Sequence, residues 1–236
     1  MSEWLFKERK KQVAERSVQR AAARVLDDMR REAVSNIRSG ARKADEPSVI
    51  LDLAKWIAEI LKRMRPSLRE AVIQGVLTAM EGLGLDGTAV AERVVVEKIL
   101  DAVNRKMKRV PESVIEEINE AMAEGLELEE DSTELAKRVD KQLKKSNPVR
   151  SKMIARTSGT AAFEGGQLEA FREVGLTQKG WLAQPGARPS HAEAHLQRVP
   201  IEEPFSVGES KLMHPGDPTG PADEVINCRC SLQGIP

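Results

Sequence analysis

The sequence has no tyrosine, and only 3% of its residues are aromatic. Single-stranded nucleic acid is held by stacking its bases on aromatic faces, so that platform is excluded. Its two cysteines are spaced C-x-C, too few and too close for a disulfide scaffold, which predicts reduced thiols. No apolar run is long enough to cross a bilayer and no signal-peptide pattern is present, which predicts a protein made in the cytosol. Net charge is zero, so the molecule as a whole selects no charged partner. What is present is 236 residues, 40% of them hydrophobic, enough for one or two domains with a real core. The charge is unevenly spread. Residues 1–45 carry twelve Lys or Arg against seven Asp or Glu, whereas 180–236 carry four against seven.

Most of the chain reads as helix. Leu5, Val13, Val18, Ala22, Val25, Leu26, Met29, Val34 and Ile37 form an apolar stripe at three- and four-residue steps, predicting one helix over 3–39 closed by Gly40. Its outer face carries Arg9, Lys10, Lys11, Arg16, Arg20 and Arg24 among acidic residues. It reads either as an amphipathic docking helix or as a DNA-facing stripe. Pro47-Ser48 opens a second helix that stops at Pro66, and Ser67-x-x-Glu70 caps a third, giving an antiparallel hairpin. Gly82 to Gly87 is a flexible joint. A fourth helix runs from Thr88 to Arg109, a fifth from Pro111 to Gly125, and a sixth is capped by Asp131-x-x-Glu134. Ser146-Asn147-Pro148 separates it from a seventh, Val149 to Val174. Gly159, Gly165 and Gly166 inside that last helix each cost about 0.5–1 kcal/mol relative to alanine, and close approach of another backbone would explain them.

Residues 179–233 differ in kind. They hold all three histidines, both cysteines and a cluster of prolines. Trp181-Leu182-Ala183 reads as a short buried strand ended by Pro185-Gly186, and Arg188-Pro189-Ser190-His191 as one helical turn. Val199 before Pro200 is extended. His214 to Pro221 is a constrained loop, and Asn227 to Leu232 reads as a final strand with Cys228 and Cys230 on one face and Arg229 on the other.

Several of these runs together resemble the Mu F-like minor head proteins of tailed phages, the phage head morphogenesis domain. They are Ile154-Ala155-Arg156-Thr157, Ala161-Ala162-Phe163, Lys179-Gly180-Trp181-Leu182-Ala183, Arg188-Pro189-Ser190-His191, Pro215-Gly216-Asp217-Pro218 with Gly220, and Val225-Ile226-Asn227-Cys228-Arg229-Cys230. The resemblance spans roughly 111–232. It departs from the family pattern at Ser158, where a glutamate is usual, and at Leu196, where a glycine normally follows the histidine segment. It implies a minor head protein in the capsid interior near the portal, present in the host cytoplasm during assembly. The implied partners are the portal protein, the major capsid protein and packaged double-stranded DNA, in a multi-copy assembly with no membrane. Two other functions remain open, a zinc- or thiol-dependent hydrolase and a helical DNA-binding module.

The fold class expected is α+β: helical hairpins in the N-terminal half, then a small module of one long helix on a few short strands. By role the chain divides into a docking region, 1–85, and a head-morphogenesis module, 86–236, whose compact part is 146–236. Arg156 is expected to clamp a carboxylate or loop carbonyls. No catalytic residue is expected, because no triad, paired carboxylates or phosphate loop occurs at usable spacing. For the cysteines two states are open. Two thiolates and an imidazole suit tetrahedral zinc on His191, Cys228 and Cys230, with His195, His214 or Asp217 as fourth ligand. The other is a metal-free knot with His191 bonded to a loop carbonyl and the cysteines packed under Trp181. The metal-free form is the expectation, since no fourth ligand stands out.

Overall fold

Helical periodicity decides the architecture wherever it conflicts with local breakers. The computed structural model describes residues 3–40, 50–94 and 96–236. Helix α1 (Glu3–Arg38) forms as expected, and Gly40 follows it at φ +102°. The expected start at Pro47-Ser48 lies outside the described residues. The expected stop at Pro66 is not there: α2 runs unbroken from Leu53 to Gly82. Its buried face, Trp56, Ile60, Met64, Leu68, Val72, Val76 and Met80, recurs at every fourth residue straight past the proline. An interior proline costs about 3 kcal/mol. Burying each large apolar side chain returns about 1.5–3 kcal/mol, so seven of them outweigh one missing hydrogen bond. Pro66 itself is exposed, on the face where its ring does least harm.

Pro148 is overridden in the same way. Helix α6 spans Ser132–Glu173, with Leu135, Val139, Leu143, Asn147, Ser151 and Ala155 buried at four-residue steps through it. Its N-terminus is the expected capping box: Asp131 Oδ1 accepts from the Glu134 amide at 2.9 Å, and Glu134 Oε2 accepts from the Asp131 amide at 3.0 Å. The expected fourth helix is instead two, α3 (Thr88–Arg93) and α4 (Val96–Met107), because Val94 turns to an extended conformation, φ −63°, ψ 126°. The sequence there is a run of valines, whose branched side chains resist helix. Helix α5 spans Arg109–Glu127 with Pro111 in its first turn.

The chain forms two compact units, each assembled from separated stretches. One comprises 20–64 and 106–152, and it is helical. Its core includes Leu26, Met29, Trp56, Ile60, Val114, Ile118 and Val139, and Asn147 Nδ2 donates to the Leu26 carbonyl at 3.1 Å. The other comprises 1–19, 65–105 and 153–236 and carries the sheet. In both, most of the apolar stripe of α1 is buried within the chain itself, with Leu5 and Val13 left exposed, so docking by residues 1–85 would rest chiefly on other faces.

In the sheet-bearing unit only Gly166 of the three α6 glycines meets another backbone at close range, while Gly159 and Gly165 face the side chains of Glu15 and Ile99. A Cβ on Gly166 would stand 2.3 Å from the Val72 carbonyl oxygen, and one on Gly75 would stand 2.0 Å from that of Phe163. Helices α2 and α6 thus cross backbone to backbone. Beyond α6, Gly175 at φ +73° turns the chain into β1 (Gln178–Leu182). Strand β1 is the centre of an antiparallel sheet ordered β2-β1-β5, with β2 at Arg198–Pro200 and β5 at Ser231–Ile235. Trp181 pairs with Leu232 in that ladder. A hairpin of β3 (Phe205–Val207) and β4 (Ser210–Leu212) and the short helices α7 (Pro189–Glu193) and α8 (Ala222–Val225) complete an α+β module.

Candidate functional site

The segment Asn227–Cys230 precedes β5 instead of belonging to it, which corrects the expected strand. Its backbone groups are taken by side chains. Thr160 Oγ1 donates to the Cys228 carbonyl at 3.2 Å, and Lys11 Nζ to the Cys230 carbonyl at 2.8 Å. The Asn227 amide donates to Thr157 Oγ1 at 3.1 Å, and Asn227 sits at φ +58°. With those groups engaged by α1 and α6, no ladder partner is needed.

The cysteine sulfurs nevertheless converge, on His191 of α7. His191 Nδ1 lies 3.3 Å from Cys230 Sγ and 3.6 Å from Cys228 Sγ. All three side chains are 2% exposed or less. On the far side of the ring, His191 Nε2 stands 2.9 Å from Glu224 Oε2, a close approach bent away from good hydrogen-bond alignment. Glu224 is held by Ser190, whose hydroxyl donates to the same oxygen at 2.9 Å. Trp181 meets the imidazole edge-on, centroids 5.3 Å apart at 88°. The thiols are unequal. The hydrogen bond from Cys228 pulls Cys230 down to about 5, with His191 helping against burial. That same bond and burial push Cys228 up.

The suggested fourth ligands are engaged elsewhere. His195 Nδ1 accepts from the Ala183 amide at 3.1 Å, and His214 Nδ1 lies 3.0 Å from the Pro215 carbonyl. Asp217 accepts from the amides of Met213 and Thr219, each at 2.8 Å, closing the loop through Pro215, Gly216 and Pro218. Gly216 adopts φ +70° there, and a Cβ on it would stand 3.0 Å from the Thr160 methyl. Arg188 donates to the Ile226 carbonyl at 2.7 Å, which ties α7 to the cysteine segment. Arg156 does not show the expected clamp at its Nε, which is buried without an acceptor. Arg229 points away from the cysteines and reaches Glu8 Oε1 at 3.6 Å.

Sequence reasoning missed the charges that brace this site. Lys11 is fully buried, with Nζ 2.6 Å from Glu164 Oε1 and 3.0 Å from Ser231 Oγ, so it cannot face DNA. Desolvation lowers its pKa, but the Glu164 ion pair outweighs that and leaves it raised. Glu164, also fully buried, accepts from the Leu232 amide at 2.9 Å. Lys7 Nζ donates to the Leu232 carbonyl at 2.5 Å. The available signal was register: Lys7 and Lys11 continue the buried stripe of Ala14 and Val18. Lys10 pairs with Glu81 at 3.1 Å, while Arg9, Arg16, Arg20 and Arg24 are exposed. Burial also pulls Lys179 of β1 down to about 8, while its Nζ donates to the Met213 carbonyl at 2.9 Å.

In this small sheet module the buried charges of Lys7, Lys11 and Glu164 are spent on internal braces, and the sulfurs are sealed from solvent. The family model for phage Mu protein F like protein matches residues 112–233, just over half of the chain. The chain belongs to that family, and is a phage head morphogenesis protein of structural, virion-associated type. No curated protein and no solved structure gives a significant match.

Proposed function

We propose that this chain is a minor head protein inside the capsid, attached in several copies to the portal protein or the major capsid protein. There it assists head assembly and the retention or delivery of the genome. The match of the Mu F-like family over 112–233 carries this reading. The braced module supports it: α1 is anchored to the cysteine segment by Lys7 and Lys11, which gives a rigid body suited to assembly. Exposed Arg9, Arg16, Arg20 and Arg24 offer positive charge to packaged double-stranded DNA. No helix among the described residues is long and apolar enough to cross a membrane. Hydrolysis at the thiols is disfavoured, because Cys228 and Cys230 are 2% and 0% exposed and leave a substrate no approach.

The test is co-purification with assembled heads, followed by retention of the pure chain on purified portal or capsid protein at moderate salt. Presence in heads and salt-resistant retention are the expected results. A chain that is absent from heads and binds only DNA, with affinity falling steeply as salt rises, would instead favour the DNA-binding reading.

A further inference from the structure

We infer that His191, Cys228 and Cys230 form a site for one zinc ion, with Glu224 as the outer group that orients the imidazole. The three ligand atoms lie within 4.8 Å of one another. Zinc bonds of about 2.3 Å to sulfur and 2.0–2.1 Å to nitrogen at tetrahedral angles put neighbouring S and N ligands about 3.6 Å apart. The two S···N separations here are 3.3 and 3.6 Å. Both S···N edges therefore already have close to the length such a tetrahedron requires.

A metal-free knot can hold the same atoms, with Cys228 hydrogen-bonded to Cys230 and His191 beside them, but it leaves one ring nitrogen facing two sulfurs. Nδ1 of an imidazole has a single hydrogen or a single lone pair, so it can bond one thiol at a time. Here it faces two, in a space sealed from water, and sulfur is only a weak donor and acceptor. A cation accepts both sulfurs and the nitrogen at once. Glu224 at Nε2 is the carboxylate–histidine pairing that holds a metal-bound imidazole in the correct tautomer. Two thiolates and an imidazole are soft and borderline donors, which favour zinc over magnesium or calcium.

Among the described residues no further His, Cys, Asp or Glu joins the group. These three side chains are thus the donor set the described residues supply, and their burial makes the role structural. The ion would pin the Asn227–Cys230 segment, which has no strand partner, to α7.

The experiment uses the full chain, produced in zinc-replete medium and measured by elemental analysis, with cobalt(II) replacement as the spectroscopic probe. About one zinc per chain is expected, together with thiolate-to-cobalt charge-transfer bands. Cys228→Ser and Cys230→Ser should each remove the metal while far-ultraviolet circular dichroism still reports helix. Glu224→Gln should keep the metal but bind it roughly 10–100-fold more weakly in a chelator competition. A folded wild-type chain that takes up neither zinc nor cobalt overturns the inference. So does zinc that survives both cysteine substitutions, or an iron–sulfur chromophore in its place. If a cysteine variant fails to fold, the cobalt spectrum of the wild type decides alone. These readouts come from the isolated chain and do not depend on its place in the head.

Discussion

Lys11 and Glu164 meet at 2.6 Å with both side chains completely withdrawn from solvent. Each is also wired to the polypeptide around the cysteines, Lys11 to the Cys230 carbonyl and Glu164 to the Leu232 amide. A pair of this kind contributes little net stability as a unit, but removing one member strands a charge in a low-dielectric interior. Lys11→Met should therefore cost roughly 3–5 kcal/mol in denaturant unfolding. Adding Glu164→Gln, which keeps an acceptor for the Leu232 amide, should recover part of that loss, with a coupling of about 0.5–3 kcal/mol. Strictly additive losses would show that the two residues do not act as a pair.

Glu15 gives the pH dependence. Burial raises it from 4.5 to about 7, with Lys11 opposing, Glu8 adding, and Arg229 and Arg156 opposing. The folded chain keeps this proton over a range in which the unfolded chain has released it. Stability from this group is thus full below pH 4.5 and falls as pH rises through the window to about 7. Glu15→Gln should flatten that part of the stability curve and raise the midpoint of unfolding at neutral pH. Identical slopes for variant and wild type would show that Glu15 is ionised in the fold.

Two positions run in opposite directions on glycine. Leu196 sits at φ +62°, where a side chain costs roughly 1–2 kcal/mol, because its amide and the Gln197 carbonyl continue the pairing with Trp181. Leu196 is also 62% exposed, so little packing is lost with it. Leu196→Gly should raise the melting temperature. Gly75→Ala would drive its methyl into the Phe163 carbonyl, which is backbone and cannot swing aside, and should lower it by more. A stable Gly75→Ala chain would mean that α2 and α6 do not cross as closely as described.

The helical stripe of α1, the cap at Asp131 and the need for close packing at Gly166 were readable because each depends on neighbours in sequence. Pro66 and Pro148 misled for the complementary reason. A breaker is local, whereas the buried stripes that override it become visible only once their partners are known. The meeting of Cys228, Cys230 and His191 was expected through a strand that begins only after them, at Ser231. Thr160 and Lys11 shape that segment instead, and nothing in its own composition names them. Glu224 was missed as well, since only the fold brings α8 against α7. Leu196 is the instructive intermediate: the resemblance implies a glycine there, and the backbone keeps a left-handed conformation without one.

The interleaving of the two units also fixes an order of events during synthesis. Lys7 and Lys11 leave the ribosome well before their partners at Glu164 and Cys230–Leu232. At about 5–20 residues per second, α1 waits on the order of ten seconds or more for the groups that bury it. Through that interval a helix bearing Ala14, Val18 and the Lys7 and Lys11 ammonium groups on one face is open to the surrounding cell. Helix α1 is made long before it can be finished, and anything that must engage this chain before it closes has that interval in which to do so.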